Sequence, residues 1–236
     1  MDDLQALILA GGKGTRLKPF TNAIPKPLVP VGDLPILEIV LRQLRRSGVG
    51  RVTLAVNHLA QLIQAFFGDG SKLGLNIAYS VEDTPLGTAG PLRLIKKLDD
   101  NFLVMNGDLL TTIDYRGLFN RHVAEGAAAT IATFQKKLKI DLGVLEVNGE
   151  RFVDYIEKPT YNFTVSMGIY AMNRRVIDYI PPDRPFDTPD LILALHKAGE
   201  KIVCYSGDYD WLDIGRIDDY EQAVGIFEAN REFYLG

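Results

Sequence analysis

The chain lacks most of the residues that common site chemistries need. Of its 236 residues only one, Cys204, is cysteine, so no intrachain disulfide and no cysteine-based zinc site can form, and a reducing compartment is the expected setting. Its three histidines, His58, His122 and His196, lie far apart without ligand spacing and read as surface or structural residues. Positive charge is not in excess: 26 Lys and Arg face 30 Asp and Glu, a formal net charge of −4, which argues against a protein that coats nucleic acid. No apolar run approaches the ~18 residues of a membrane span. The opening "MDDLQALILAGG" has acids where a secretory leader carries basic residues. Neither nucleic acid nor membrane is an expected partner, and the expected location is the cytoplasm. There is no internal repeat and no low-complexity linker.

With 47% hydrophobic and 24% charged residues, the chain can bury the core of one sizeable domain. "LQALILA" is a short apolar run that stops at glycines, as a fully buried strand does. "ILEIVLRQLRRSGV" has apolar residues at helical spacing, a basic last turn and Gly48 as a stop. Further along, "RVTLAVN", "LNIAYSVE", "NFLVMNGD", "AATIATF", "VSMGIYAMN" and "KIVCYSG" read as strands. "LAQLIQAFFGDG", "GTAGPLRLIKKL", "YRGLFNRHVAEG", "DLILALHKAG" and "IDDYEQAVGIFEANREFY" read as helices. Asn148-Gly149 is a hairpin turn signal between two β-like runs. This alternation predicts a single α/β domain, Rossmann-like, with a mostly parallel mixed sheet flanked by helices on both faces. A nucleotide-type half over about 1–115 and a more mixed β half over about 116–236 complete the expectation.

The first chemical signal is "LILAGGKGTRLKPFTNAIPKPLVPV", Leu7 to Val31. A glycine-rich turn after a buried strand lets backbone N–H groups approach an anion or a base; alone, such a turn is equally compatible with a structural role. A Walker loop needs two glycines four residues apart followed by Lys and Ser or Thr, and that string is missing. A dinucleotide fold wants an acid at the end of the second strand, but Asp33 lies in the turn "VGDLP" and that strand ends near Asn57. Lys13, Arg16 and Lys18 follow the glycines, and Lys26 stands between Pro25 and Pro27 on what the prolines predict to be a stiff, extended backbone. A fixed lysine opposite a glycine cradle suits a clamp for several phosphates; the plain alternative is a solvated basic loop.

The pattern resembles the signature of the sugar-1-phosphate nucleotidylyltransferases, GGxGTRLxPxT followed by PKP, here Gly11, Gly12, Gly14, Thr15, Arg16, Leu17, Pro19, Thr21, then Pro25, Lys26 and Pro27. The likeness covers essentially the whole chain, with "EDTPLGTAGPL", "MNGD", "LGV", "EKP", "SMGIY" and "WLDIG" in family order, and it is closest to guanylyltransferases of the mannose-1-phosphate type. It implies transfer of a nucleotidyl group from a nucleoside triphosphate to a sugar 1-phosphate with release of pyrophosphate. Arg16 would then hold the leaving pyrophosphate, Lys26 would neutralise charge near the reacting phosphates, and Lys158 would orient the sugar phosphate. Asp108 and Asp213 would bind Mg²⁺. Leu9, Ala10, Gly11, Gly12, Gly14, Thr15, Arg16, Glu82, Gly87 and Thr88 would form the nucleotide side; Gly143, Glu157, Lys158 and Gly168 would form the sugar-phosphate side.

No protein nucleophile is required, because a sugar phosphate is already ionised. Glutamate at 82, an acceptor, suits the paired donors of guanine, with Asp83 as its substitute. GTP and mannose 1-phosphate are therefore the first expectation, with UTP or dTTP and glucose, amino-sugar or heptose 1-phosphates as alternatives. A catalytically silent nucleotide-sugar-binding subunit is the alternative of another class. Trp211 reads as a packing residue and "KKLK" at Lys136 to Lys139 as a solvated loop. Homo-oligomers are common among such enzymes, but the sequence offers no apolar stripe on which to place an interface.

Overall fold

In the computed structural model, residues 4–12, 14–57, 59–82, 84–182 and 184–235 are described; Lys13, His58 and Asp83, named above, lie outside them. β1 (Leu4–Leu9) runs into the glycine loop, and three 3-10 turns (Thr15–Leu17, Phe20–Asn22, Lys26–Leu28) lead to the short pair β2 (Pro30–Val31) and β3 (Leu34–Pro35). Then follow α1 (Ile36–Arg46), β4 (Val49–Val56), α2 (Ala60–Phe67), β5 (Asn76–Val81), β6 (Asn101–Asn106), β7 (Leu109–Thr111) and α3 (Tyr115–Glu125). The second half holds β8 (Ala129–Lys139), β9 (Val144–Asn148), β10 (Arg151–Ile156), β11 (Thr160–Asn173), α4 (Thr188–Lys197), β12 (Ile202–Tyr205), β13 (Trp211–Asp213), α5 (Ile217–Ala229) and α6 (Arg231–Leu235).

Seven strands form the central sheet in the order β12-β8-β11-β6-β1-β4-β5. β1 is parallel to β4 and β6, while β11 enters antiparallel between β6 and β8, so the sheet is mixed but mostly parallel. β1 reads as a continuous apolar run because both its faces are covered: Ala6 and Ile8 pack with Leu37, Val40 and Leu44 of α1, and Leu7 packs with Phe102, Val104 and Leu191 on the other side. A third cluster, built on Leu17, Val29, Ile36, Ile214 and Phe227, anchors the loops that carry the site. None of the described helices is long and apolar enough to cross a membrane.

Four local expectations need correction. "GTAGPLRLIKKL" is not an α-helix; only a 3-10 turn, Gly90–Leu94, forms. Pro91 lacks a donor, and the segment before it is tied to the 186–188 strip by Phe186 N–H on Leu86 O at 2.9 Å and Ala89 N–H on Phe186 O at 2.9 Å. "KKLK" is not a loop but the outer end of β8, paired through Lys136–Phe163 and Leu138–Tyr161 with β11. Lys26 does not sit on extended backbone: Pro25 does, and Lys26 opens a 3-10 turn. The terminal helix is two, broken at Asn230, whose backbone leaves the helical region. The hairpin at Asn148-Gly149 forms as its turn chemistry predicts, with Gly149 at φ 61°.

Candidate active site

The site lies at the carboxyl ends of β1, β4 and β6, where open α/β sheets place their ligands. After β1 the loop turns at Gly14, whose φ of 61° and close neighbours leave no room for a side chain: a Cβ there would lie 2.9 Å from Thr21 Cγ2 and 3.0 Å from Lys26 Cβ. Thr21 closes the turn by donating its hydroxyl proton to Gly14 O at 2.8 Å. The glycine thus brings the first turn of the loop against Lys26. Leu17, fully buried, pins the intervening 3-10 turn into the third core cluster and leaves Arg16 exposed beside Gly215.

Lys26 is only 9% exposed, and its ammonium pairs with the Asp108 carboxylate through Oδ2. The other Asp108 oxygen, Oδ1, is buried without a hydrogen-bond partner. A short antiparallel pairing brings the second carboxylate in: Asp213 on β13 is in register with Leu109 on β7, and Ile214 N–H donates to Asp108 O at 3.1 Å. The Asp213 carboxyl is held above the usual carboxylate range by burial and by the Asp108 charge, against the opposing pull of Lys26 and Arg16. Four charged groups drawn from residues 16, 26, 108 and 213 therefore converge.

Two cavities open on this cluster. One, of about 480 Å³, is walled by Leu9, Gly11 and Gly12 of the loop, by Asn57 and Glu82 at the ends of β4 and β5, and by Gly87, Thr88, Asn106 and Asp108. The second, of about 300 Å³, shares Thr88 and Asn106 with the first and adds Ser166, Gly168, Tyr170, Thr188, Trp211 and Asp213. Glu82 accepts the Leu86 N–H at 2.9 Å through Oε2, which leaves Oε1, over Gly11, to meet a ligand; burial raises its carboxyl against the opposing effect of that bond. The shared wall is braced by Asp187, whose Oδ1 accepts both the Thr88 N–H at 2.9 Å and the Thr88 hydroxyl at 3.2 Å. Gly168, at φ 71°, lies so close to Asn106 that an added Cβ would be 2.6 Å from Nδ2.

Of the expected nucleotide-side residues, Leu9, Gly11, Gly12, Glu82, Gly87 and Thr88 line the first cavity. Buried Ala10 lies behind it, with its N–H on Ala55 O at 2.8 Å, and Gly14, Thr15 and Arg16 sit on the loop beyond. On the sugar side Gly168 lines the second cavity, whereas Gly143, Glu157 and Lys158 line neither. Gly143 packs against the Tyr155 hydroxyl; Glu157 accepts from that hydroxyl at 3.0 Å and lies 4.0 Å from Lys158, both charges well exposed. Sequence reasoning missed Asn57, Asn106 and Thr188. Asn106 was in plain view inside "MNGD"; Asn57 and Thr188 carried no local signal. Trp211 packs on Phe134 with ring centroids 5.5 Å apart, as expected of a core residue, and lines the second cavity as well.

The residues fit a hard divalent cation. A buried carboxylate oxygen without a partner and a second carboxylate raised by its neighbour are an oxygen donor pair that a cation would satisfy, and Mg²⁺ commonly takes one or two carboxylates plus phosphate oxygens and water. Among the described residues no group of three or more His, Cys, Asp or Glu could hold a metal by itself.

Comparison with known proteins identifies the family. The nucleotidyl transferase family matches residues 5–229. The chain is 37% identical, over 94% of its length and 62% of the relative, to a UTP–glucose-1-phosphate uridylyltransferase from Synechocystis. It is 34% identical, over 92% of its length and 62% of the relative, to a mannose-1-phosphate guanylyltransferase from Mycobacterium tuberculosis. The chain thus spans less than two-thirds of the length of these two relatives. A crystal structure of HddC from Yersinia pseudotuberculosis superposes with a TM-score of 0.73 at 25% identity, covering 95% of this chain and 99% of that one. The match over residues 5–229 shows that the chain belongs to the nucleotidyl transferase family.

Proposed function

We propose that the chain is a Mg²⁺-dependent sugar-1-phosphate nucleotidylyltransferase that joins a nucleoside triphosphate, GTP by preference, to a sugar 1-phosphate, mannose 1-phosphate by preference, and releases pyrophosphate. The observation that carries the reading is the meeting of two cavities along Thr88 and Asn106, with Asp108 on one side and Asp213 on the other. Two polyanions have to be brought together in line, which is a task of positioning and charge compensation.

In this reading the base lies over Gly11 and Gly12 against Glu82, and the triphosphate runs past Gly14 toward Arg16. Arg16 holds the β- and γ-phosphates. Lys26, fixed by its neighbours, lies where negative charge accumulates as the phosphate oxygen of the sugar attacks the α-phosphorus and the bond to pyrophosphate breaks. Asp108 and Asp213 would hold Mg²⁺, which supplies Lewis-acid polarisation of the α-phosphate. Lys158 would orient the sugar phosphate, although it lines neither cavity.

Support for GTP comes from "EDTPLGTAG", from relatives such as the Mycobacterium guanylyltransferase, and from HddC, which has been crystallised with GMP-PN. A second reading, UTP with glucose 1-phosphate, is favoured by the Synechocystis relative and by the single free oxygen of Glu82, which matches the one N3–H of uracil. The test is pyrophosphate release with Mg²⁺, scanning GTP, UTP, dTTP, CTP and ATP against a panel of sugar 1-phosphates. Turnover with GTP and mannose 1-phosphate above all other pairs is expected. A UTP preference would replace the substrate pair, and no turnover with any pair would refute the enzyme reading in favour of a silent nucleotide-sugar-binding subunit.

A further inference from the structure

Asp187 directly precedes α4, where an aspartate ordinarily caps its own helix by accepting a backbone N–H of the first turn. Its side chain makes no such bond. Oδ1 instead takes both donors of Thr88, which is 99 residues away: the backbone N–H at 2.9 Å and the hydroxyl at 3.2 Å. Thr88 in turn caps α4 from outside, its Oγ1 accepting the Thr188 N–H at 2.8 Å. Gly87, at φ 79°, permits this approach, since a Cβ there would lie 2.7 Å from Asp187 Oδ1 and 2.6 Å from Phe186 O. The carboxylate is therefore diverted from its own helix to one residue, and that residue lines both cavities while Asp187 lines neither.

We infer that Asp187 is a positioning residue that leaves Thr88 only an acceptor toward the cavities, and that the ligand group meeting it is a hydroxyl of the ribose or of the sugar, not a phosphate. A threonine hydroxyl has one donor and two acceptor sites. Asp187 takes the donor and the Thr188 N–H takes one acceptor, so a single acceptor remains on Oγ1. The Thr88 N–H is held by the same carboxylate. An ionised phosphate only accepts; at Thr88 it would find no free donor and a negative charge close behind. A hydroxyl can donate there. The cations suited to phosphate, Arg16 and Lys26, gather around Asp108 and Asp213 instead. Both candidate hydroxyls belong to the substrates of the nucleotidylyltransferase reading, on which this assignment rests.

Steady-state kinetics with the substrate pair that turns over best would compare the wild type, Asp187→Ala, Asp187→Asn and Thr88→Val. Each is assayed on the parent substrates and on analogues lacking one hydroxyl: 2′- and 3′-deoxynucleotides on the ribose side, monodeoxy sugar 1-phosphates on the other. One analogue should lose roughly fivefold or more in kcat/KM with the wild type, and that loss should vanish in Thr88→Val and shrink to about twofold in Asp187→Ala, whose Thr88 hydroxyl is free to turn. Asp187→Asn keeps an Oδ1 acceptor and should keep the discrimination. A merely structural Asp187 would move Tm or kcat and leave the ratio between a substrate and its deoxy form untouched. The side on which the loss falls identifies the hydroxyl, and Thr88→Val carries the test if Asp187→Ala misfolds. Equilibrium dialysis of the same nucleotides, sugar 1-phosphates and deoxy forms reads the discrimination as a ratio of Kd, so a chain that binds without turnover would refute the enzyme reading and still test this one. A wild type that tolerates every analogue, or a discrimination that persists unchanged in both Asp187→Ala and Thr88→Val, would overturn the inference.

Discussion

Replacing Lys26 by Met isolates the electrostatic centre of the site. The Lys26 and Asp108 side chains are 11% and 21% exposed, and Asp108 Oδ1 has no other partner, so the substitution strands a mostly buried carboxylate. Breaking a fully buried pair costs about 3–5 kcal/mol; solvent reaching Asp108 screens part of this, leaving about 2 kcal/mol. For a chain of this length that is a fall of ~4–8 °C in Tm. Adding Asp108→Asn removes the stranded charge, and the double variant should regain about 1–1.5 kcal/mol, a coupling well above the ~0.5 kcal/mol scatter of independent sites. The assay is urea unfolding of the four proteins of the cycle, with and without Mg²⁺. Mg²⁺ should stabilise Lys26→Met more than the wild type and leave Asp108→Asn unmoved, since the cation is linked to the free carboxylate. In activity assays Lys26→Met should lose roughly 100-fold or more in kcat, and Asp108→Asn should lose Mg²⁺-supported turnover altogether. Additive stabilities across the cycle, or the same Mg²⁺ shift in all four proteins, would refute the reasoning.

Two further perturbations address the walls and the core. Gly168→Ala places a methyl against Asn106 at φ 71° and should cost about 1–3 kcal/mol while raising KM for both substrates, because Asn106 lines both cavities; a change confined to one substrate in steady-state kinetics would contradict that placement. His122, fully buried between Thr130 Oγ1 and Asn101 Oδ1, has its pKa lowered to about 4 by burial, reinforced by the Arg175 charge. The unfolded chain therefore binds its proton first on acidification. The stability tied to neutral His122 is fully present above about 6.5 and is lost as the pH falls toward 4. His122→Gln should flatten the slope of stability against pH in that window, and an unchanged slope in denaturant titrations would exclude His122 as its source.

Much of this molecule was legible in its sequence, for identifiable reasons. β1, α1 and α3 were readable because their apolar periodicity and stop signals agree with the tertiary burial that forms them. The glycine loop was readable because Gly14 has a steric task that other residues cannot perform. The segment around Pro91 was not, because its backbone bonds go to a strip about a hundred residues away, and Lys136–Lys139 was not, because strand pairing with β11 overrides a charged composition. The link between Lys26 and Asp108 spans 82 residues and left no trace in spacing. The outlying position of Glu157 and Lys158 follows from a ribbon that extends beyond the body of the sheet, which motif order alone does not reveal.

The three-residue pairing of β13 with β7 also has a consequence for the order in which the site comes into being. Asp213 stands 105 residues after Asp108, and only the Leu109–Asp213 register brings the two together. A nascent chain thus exposes its glycine loop, Lys26 and the buried oxygen of Asp108 while β13 is still inside the ribosome. Until β13 docks, Asp108 lacks its neighbouring carboxylate and the cluster that anchors the loop lacks Ile214 and Phe227, so the pairing of the two acids and the anchoring of the loop are completed together.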